Sequence, residues 1–136
     1  MATETREATP EEAGAIAELL SLPEAAAQRL LRARTVEVAF EDGSAIGCLA
    51  YEIHDGAVRV TALGGRTAAI QALLEAPRRL GAAEDLPVVV LVPDGEAEIA
   101  TAIETAGFEA AGEGPAFRGR PTTTYRRAPP SSGQPQ

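Results

Sequence analysis

The sequence contains no lysine, no asparagine and no tryptophan, and only one cysteine and one histidine. A lone cysteine, Cys48, permits neither an internal disulfide nor a thiolate metal cluster. It lies in the apolar run 45–51, the setting of a small buried hydrophobe rather than a nucleophile. His54 opens the turn signal His54-Asp55-Gly56 and reads as a surface residue, not a metal ligand or base. A serine triad relying on histidine would have to use it, and no Gly-x-Ser-x-Gly elbow supplies the serine. No apolar run approaches the ~18 residues of a spanning helix, and the first residues are charged, unlike a signal peptide. The expectation is a cytoplasmic protein with no membrane partner.

Aromatic residues are also scarce, at 4%. Hydrophobic residues reach 45%, but 28 of them are alanine, so the core must be built from Leu, Ile and Val, with elements approaching closely over small side chains. At 136 residues the chain suffices for one domain with a sizeable core and is too short for two. All 12 cations are arginine, against 20 carboxylates, for a net charge of -8. Codon usage in a GC-rich genome explains this pattern. So does a salt-rich cytoplasm, where an acidic surface stays soluble and its self-repulsion is screened. Either way, the chain lacks the basic surface that nonspecific nucleic-acid or anionic-membrane binding requires. A monomer or homodimer is expected.

Residues 3–8 read as a short polar edge strand. Thr9-Pro10-Glu11-Glu12 is a helix start, with Thr9 as N-cap, Pro10 at N1 and Glu12 closing a capping box. Ala13, Ile16, Ala17 and Leu20 form that helix's apolar stripe. Ser21 and Glu24 bracket a second capping signal around Pro23, for a shorter helix to about residue 34. From Thr35 the period becomes that of a strand: Val36, Val38 and Phe40 alternate with Glu37, Ala39 and Glu41. Asp42-Gly43 and Asp55-Gly56 mark hairpin turns, so strands 35–41, 45–53 and 57–63 form an antiparallel meander.

Gly64-Gly65-Arg66-Thr67 leads into a helix with Ile70, Leu73 and Leu74 on one face; Pro77 ends or kinks it, and 81–86 is the return loop. The apolar run 88–92 is a strand buried on both faces, joined to strand 57–63 by a parallel, right-handed crossover. Asp94 caps the last helix, striped by Ile99, Ala102, Ile103 and Ala106. Gly107 stops it, and Phe108 folds back on Ile103. Short strands 109–111 and 122–127 flank a Gly-rich loop. Residues 128–136, rich in Pro, Ser, Gln and Gly, read as a disordered tail, leaving 1–127 as the domain.

This order of elements and five stretches of sequence resemble the GCN5-related N-acetyltransferase (GNAT) superfamily over about residues 3–127. The stretches are Arg6-Glu7-Ala8-Thr9-Pro10-Glu11-Glu12, the two Asp-Gly hairpins, Thr105-Ala106-Gly107-Phe108-Glu109, and Gly119-Arg120-Pro121 with the strand after it. The resemblance implies an α+β (α/β) GNAT-like fold: a mixed central sheet with an antiparallel meander, a parallel strand pair and about four helices. It also implies acetyl-CoA as co-substrate. The pantetheine arm would lie in a gap between the third meander strand and the parallel strand, and the pyrophosphate on N–H groups of the next helix. By position, the cofactor-binding residues are Leu63, Gly64, Gly65, Arg66, Thr67 and Ala68. That loop is shorter than the family's Gln/Arg-x-x-Gly-x-Gly/Ala and lacks its second glycine; a tight turn accounts for Gly64-Gly65 equally well.

In the family an amine attacks the thioester, a strand N–H stabilises the oxyanion, and a tyrosine often protonates the departing thiolate. The tyrosine's position is Ile103 here, the asparagine often found earlier corresponds to Glu96, and neither Tyr51 nor Tyr125 aligns with the acid. Water can serve instead. Glu52, Glu96 and Glu37 are the carboxylates available to take the amine's proton, and Glu52 and Glu96 are the catalytic candidates. No metal is implied. Two functions follow: an acetyl-CoA-dependent N-acetyltransferase acting on a small-molecule or protein amine, or a non-catalytic binding or regulatory module on the same fold. Fold alone does not choose between them.

Overall fold

The computed structural model describes residues 3–117 and 119–129. The strands are β1 (Glu4–Glu7), β2 (Thr35–Glu41), β3 (Ser44–His54), β4 (Ala57–Gly65), β5 (Val88–Pro93), β6 (Glu109–Phe117) and β7 (Arg120–Arg127). They form one sheet in the order β1-β2-β3-β4-β5-β7-β6, antiparallel except where β4 meets β5. The helices are α1 (Ala13–Leu20), α2 (Glu24–Ala33), α3 (Thr67–Leu73), α4 (Glu75–Glu84) and α5 (Ala97–Thr105). The fold class, the meander and the parallel crossover match expectation. Of the expected disordered tail, residues 130–136 lie outside the described residues.

Local chain chemistry explains much of this. Asp42 and Gly43 have φ of 53° and 79°, and Asp55 and Gly56 have 52° and 72°, so each hairpin turns through two left-handed residues, as type I′ turns require. At the end of α5, Gly107 (φ 95°) donates its N–H to Glu104 O at 3.0 Å, and Phe108 N–H reaches Ile103 O at 3.3 Å. This Schellman closure buries Phe108 in the same core as Ile103.

Four expectations are corrected. Ser21 does not cap α2; it closes α1 in the left-handed conformation (φ 56°), and α2 begins after Pro23 without a side-chain cap. The third expected helix is present in two segments, α3 and α4, separated by Leu74. Pro77 stands in the first turn of α4, where its missing N–H costs nothing, so the chain stays helical to Glu84. Asp94 lies in a turn, and Glu96 is the residue that precedes α5. The Gly-rich loop is strand: β6 runs to Phe117, with register breaks after Ala110 and Gly114 that absorb the extra residues as bulges.

Helices cover both sheet faces. α1 and α2 bury Ala13, Ile16, Ala17 and Ala27 against Val36, Val38, Cys48 and Ala50. On the other face Ile70, Leu73, Leu74 and Ile103 pack with Leu49, Tyr51, Val58, Val60 and Val90. Each fully buried Leu or Ile contributes about 1.5–3 kcal/mol, and Leu49, Ile70, Leu73 and Ile103 are all 0% exposed. The alanines let the layers approach closely, as the composition requires.

Candidate functional site: a cleft where two parallel strands part

β4 pairs with β5 only where residues 58–60 face residues 88–90. Beyond that point β4 stays with β3 as far as Gly65, while β5 stays with β7 as far as Pro93, and the two strands separate. The cause is a bulge. Tyr51 pairs with Val60 but Ala50 pairs with Ala62, leaving Thr61 as an extra residue in β4. A bulge bends its strand and reverses the side-chain alternation beyond it. Val58 and Val60 belong to the core under α3, whereas Ala62 packs toward α1 and α2 and Leu63 returns to the α3 side.

The separation opens a cleft of about 550 Å³. Leu63, Leu91 and Ile99 supply apolar wall, the α1–α2 connection at Ser21 and Leu22 covers one side, and Glu96 and Arg120 stand at its edge. Over 61–65, β4 has no strand partner on its β5 side among the described residues, so backbone polar groups of that edge face the cleft. Arg120 Nη2 donates to Asp94 O at 3.0 Å and lies 3.7 Å from Glu96 Oε2. Asp94 Oδ1 accepts from Thr123 Oγ1 at 3.0 Å. Thr122, also lining the cleft, is buried and donates its hydroxyl to Pro115 O at 2.7 Å. The turn after β5 is thereby fastened to β7.

The expected cofactor residues divide between two places. Leu63, Gly64 and Gly65 line the cleft; Arg66, Thr67 and Ala68 do not. Gly64 and Gly65 are strand residues paired with Cys48 and Gly47, and a single residue, Arg66, joins β4 to α3. Packing explains the glycine pair. A Cβ on Gly64 would stand 2.4 Å from Leu19 O, and one on Gly65, whose φ is +112°, 2.3 Å from Ile46 O. Arg66 N–H donates to Ile46 O at 2.8 Å, and its guanidinium pairs with Glu41. Thr67 and Ala68 begin α3 and line a shallow groove against α5.

Glu52 is not in the cleft. It lies on β3, with Oε2 3.3 Å from Arg34 Nη2, so of the two catalytic candidates only Glu96 reaches the site. Glu37 is half-buried on β2, and burial, then the nearby Glu7, raises its pKa. Tyr51 and Tyr125 are buried in the core; desolvation first, and neighbouring carboxylates second, raise both phenols. Ile103 is fully buried core. Burial pushes the Cys48 thiol up to about 12, which removes it as a nucleophile. Sequence reasoning misses Arg120 and the α1–α2 connection as cleft residues, and the bulge at Thr61 carries no sequence signal. Among the described residues no cluster of His, Cys, Asp or Glu could hold a metal, and no helix is long and apolar enough to cross a membrane.

No protein-family model matches the sequence, and no curated protein matches it. Solved structures do match the fold. Ard1 from Thermoplasma volcanium aligns with a TM-score of 0.80 at 17% identity, over 95% of this chain and 99% of that one. For yncA from Salmonella typhimurium, solved with its cofactor acetyl-CoA, the values are 0.73 and 15%, over 100% and 99%. For a GNAT-family acetyltransferase from Bacillus cereus they are 0.71 and 11%, over 95% and 99%. The chain has the GNAT fold.

Proposed function

We propose that the protein is an acetyl-CoA-dependent N-acetyltransferase acting on an amine. The observation that carries this reading is the cleft between β4 and β5, opened by the bulge at Thr61. Its chemistry suits the pantetheine arm. The exposed β4 edge presents amide groups to an arm that itself carries amides, and Leu63, Leu91 and Ile99 suit its methylenes. Acetyl-CoA supplies an activated acyl group, and the chain's part is to hold and orient it. An N–H of the β4 edge stabilises the oxyanion that develops on the acyl carbonyl. Glu96 draws the acceptor's ammonium in and takes one proton from it. The N–C bond then forms and the C–S bond breaks. The nitrogen's second proton passes through water to the departing thiolate, since no tyrosine lines the cleft among the described residues.

Arg66, Thr67 and Ala68 lie where the chain leaves β4, and the reading gives them the pyrophosphate. One observation favours the second reading, a non-catalytic module: Ile103, in the position of the family's acid, is sealed in the core. Acetyl-CoA separates the possibilities. The expected result is a raised melting temperature together with thiol release when an amine is supplied. Binding without thiol release across an amine panel would favour the module. Millimolar acetyl-CoA that leaves the melting curve unmoved would overturn the transferase reading.

A further inference from the structure

The cleft's two charges speak to the acceptor, an inference that rests on the transferase reading. Among the described residues lining the cleft, Glu96 and Arg120 alone are charged. Glu96 suits an ammonium. Amine acetylation by itself has no use for a cation in the same place, since a positive charge nearby disfavours binding of an ammonium. Yet Arg120 is braced there, bonded to Asp94 O at 3.0 Å, while Thr123 holds the Asp94 carboxylate. Its 3.7 Å approach to Glu96 is beyond a hydrogen bond, so among the described residues the pair leaves bonding directions of both heads unused. A guanidinium held by one nitrogen keeps further N–H groups in a planar fork, the geometry that receives a carboxylate.

We infer that the acceptor is an amine with a carboxylate beside it, an α-amino acid, its carboxylate on Arg120 and its ammonium on Glu96. Neighbouring charges on the protein call for neighbouring charges on the ligand. The apolar walls favour an uncharged side chain. The bonds made and broken are those of the transferase reaction above. The carboxylate takes no part in them and serves only to place the nitrogen.

The test uses the intact protein with acetyl-CoA and measures thiol release from L-amino acids, their amides and the corresponding decarboxylated amines, L-leucine, L-leucinamide and 3-methylbutylamine among them. The acid is expected to be the better substrate by kcat/KM. Arg120→Gln should raise KM for the acid about 10- to 100-fold, as for loss of a bond to a charged group. It should change KM far less for the amine. Arg120→Lys, which keeps the charge without the fork, should fall between, and melting curves establish that each variant folds. Amides or amines used as well as the acids would overturn the inference and leave the transferase reading intact, as would an equal effect of Arg120→Gln on acid and amine. Acetyl-CoA binding with no amino acid acetylated would also overturn it. Absence of acetyl-CoA binding would overturn the transferase reading itself.

Discussion

The Arg66 guanidinium meets the Glu41 carboxylate, Nη1 to Oε1 at 3.3 Å, tying the start of α3 to the last residue of β2. An anion at the start of α3 competes with Glu41 for that cation. Arg66 is 67% exposed, so the pair is worth at most about 1 kcal/mol. Glu41→Gln is therefore expected to tighten acetyl-CoA binding about two- to fivefold. Arg66→Glu should weaken it more than Arg120→Glu does. Calorimetry at low ionic strength checks both, and a Glu41→Gln protein that binds more weakly would remove Arg66 from the cofactor site.

The glycine pair predicts a graded cost. Gly65→Ala puts a Cβ 2.3 Å from a carbonyl oxygen at a φ of +112°, and Gly64→Ala puts one 2.4 Å from another. Backbone on both sides leaves little room to yield, so each should cost about 2–4 kcal/mol. Gly43→Ala, also at positive φ but with nothing within 4 Å, should cost only about 1 kcal/mol. Denaturant melts of the three variants give the order directly. Equal costs would mean that close approach is not what keeps glycine at 64 and 65.

How far the sequence can be read depends on distance along the chain. The Asp-Gly turns, the Gly107–Phe108 closure and the strand periods are written in a few adjacent residues, and the structure has them. The bulges at Ile46 and Thr61 are not so written. Each is a mismatch between two strands, visible only when Ala39 faces Gly47 and Phe40 faces Ala45, or Tyr51 faces Val60 and Ala50 faces Ala62. The cleft follows from the second of these. Leu63–Gly65 and Glu96 enter as candidates through the family resemblance and line the cleft, whereas Arg120 comes from a strand whose pairing brings it to Asp94 and Glu96. Ser21, Asp94 and Pro77 depart from expectation because each residue type suits more than one local position: Ser21 closes α1 in the left-handed conformation, Pro77 stands in the first turn of α4, and Asp94 is tied to β7 through Thr123 and Arg120.

Two carboxylates should respond to acid in opposite senses. A side-chain hydrogen bond from Arg6, and a further one from Thr9 N–H, hold Glu12 below the usual carboxylate range. That stabilisation is complete above the ordinary glutamate pKa and is lost as pH falls through the lower folded value. Glu37 is raised by burial and by Glu7, so its ionised form opposes folding, and protonation relieves the cost as pH falls through the raised value. Glu12→Gln should therefore lower the melting temperature at pH ~7, with the loss shrinking as pH falls below the ordinary carboxylate range and through the lowered folded value. Glu37→Gln should raise it at pH ~7, with the gain fading by pH ~4. The same sign for both variants at neutral pH would contradict this assignment.

Salt tests the acidic surface. The Arg–Glu ion pairs, such as Arg78–Glu75 and Arg120–Glu96, are partly exposed and individually weak, while the net charge of -8 repels itself. Screening should relieve more repulsion than it removes attraction. The melting temperature is expected to rise between about 0.1 M and 2 M KCl, beyond the point where the Debye length has fallen under ~10 Å. A flat or falling curve would assign the arginine-only composition to codon usage.

Cys48 offers a reporter that needs no acceptor. It lies on β3 between Val38 of β2 and Gly64 of β4, is 0% exposed, and its thiol is pushed up to about 12 by desolvation. A disulfide reagent can reach it only when this part of the sheet opens, so the labelling rate measures the open population when closing is fast. Gly64 lines the cleft, so separating β3 from β4 at this register also dismantles the proposed acetyl-CoA site. A ligand bound only to the closed form lowers the open population by the factor 1 + [L]/Kd. Acetyl-CoA at about 100 times its dissociation constant should therefore slow labelling about 100-fold, equivalent to about 2.7 kcal/mol. A rate unchanged by acetyl-CoA, at a concentration where calorimetry records saturation, would mean that the ligand sits away from β4.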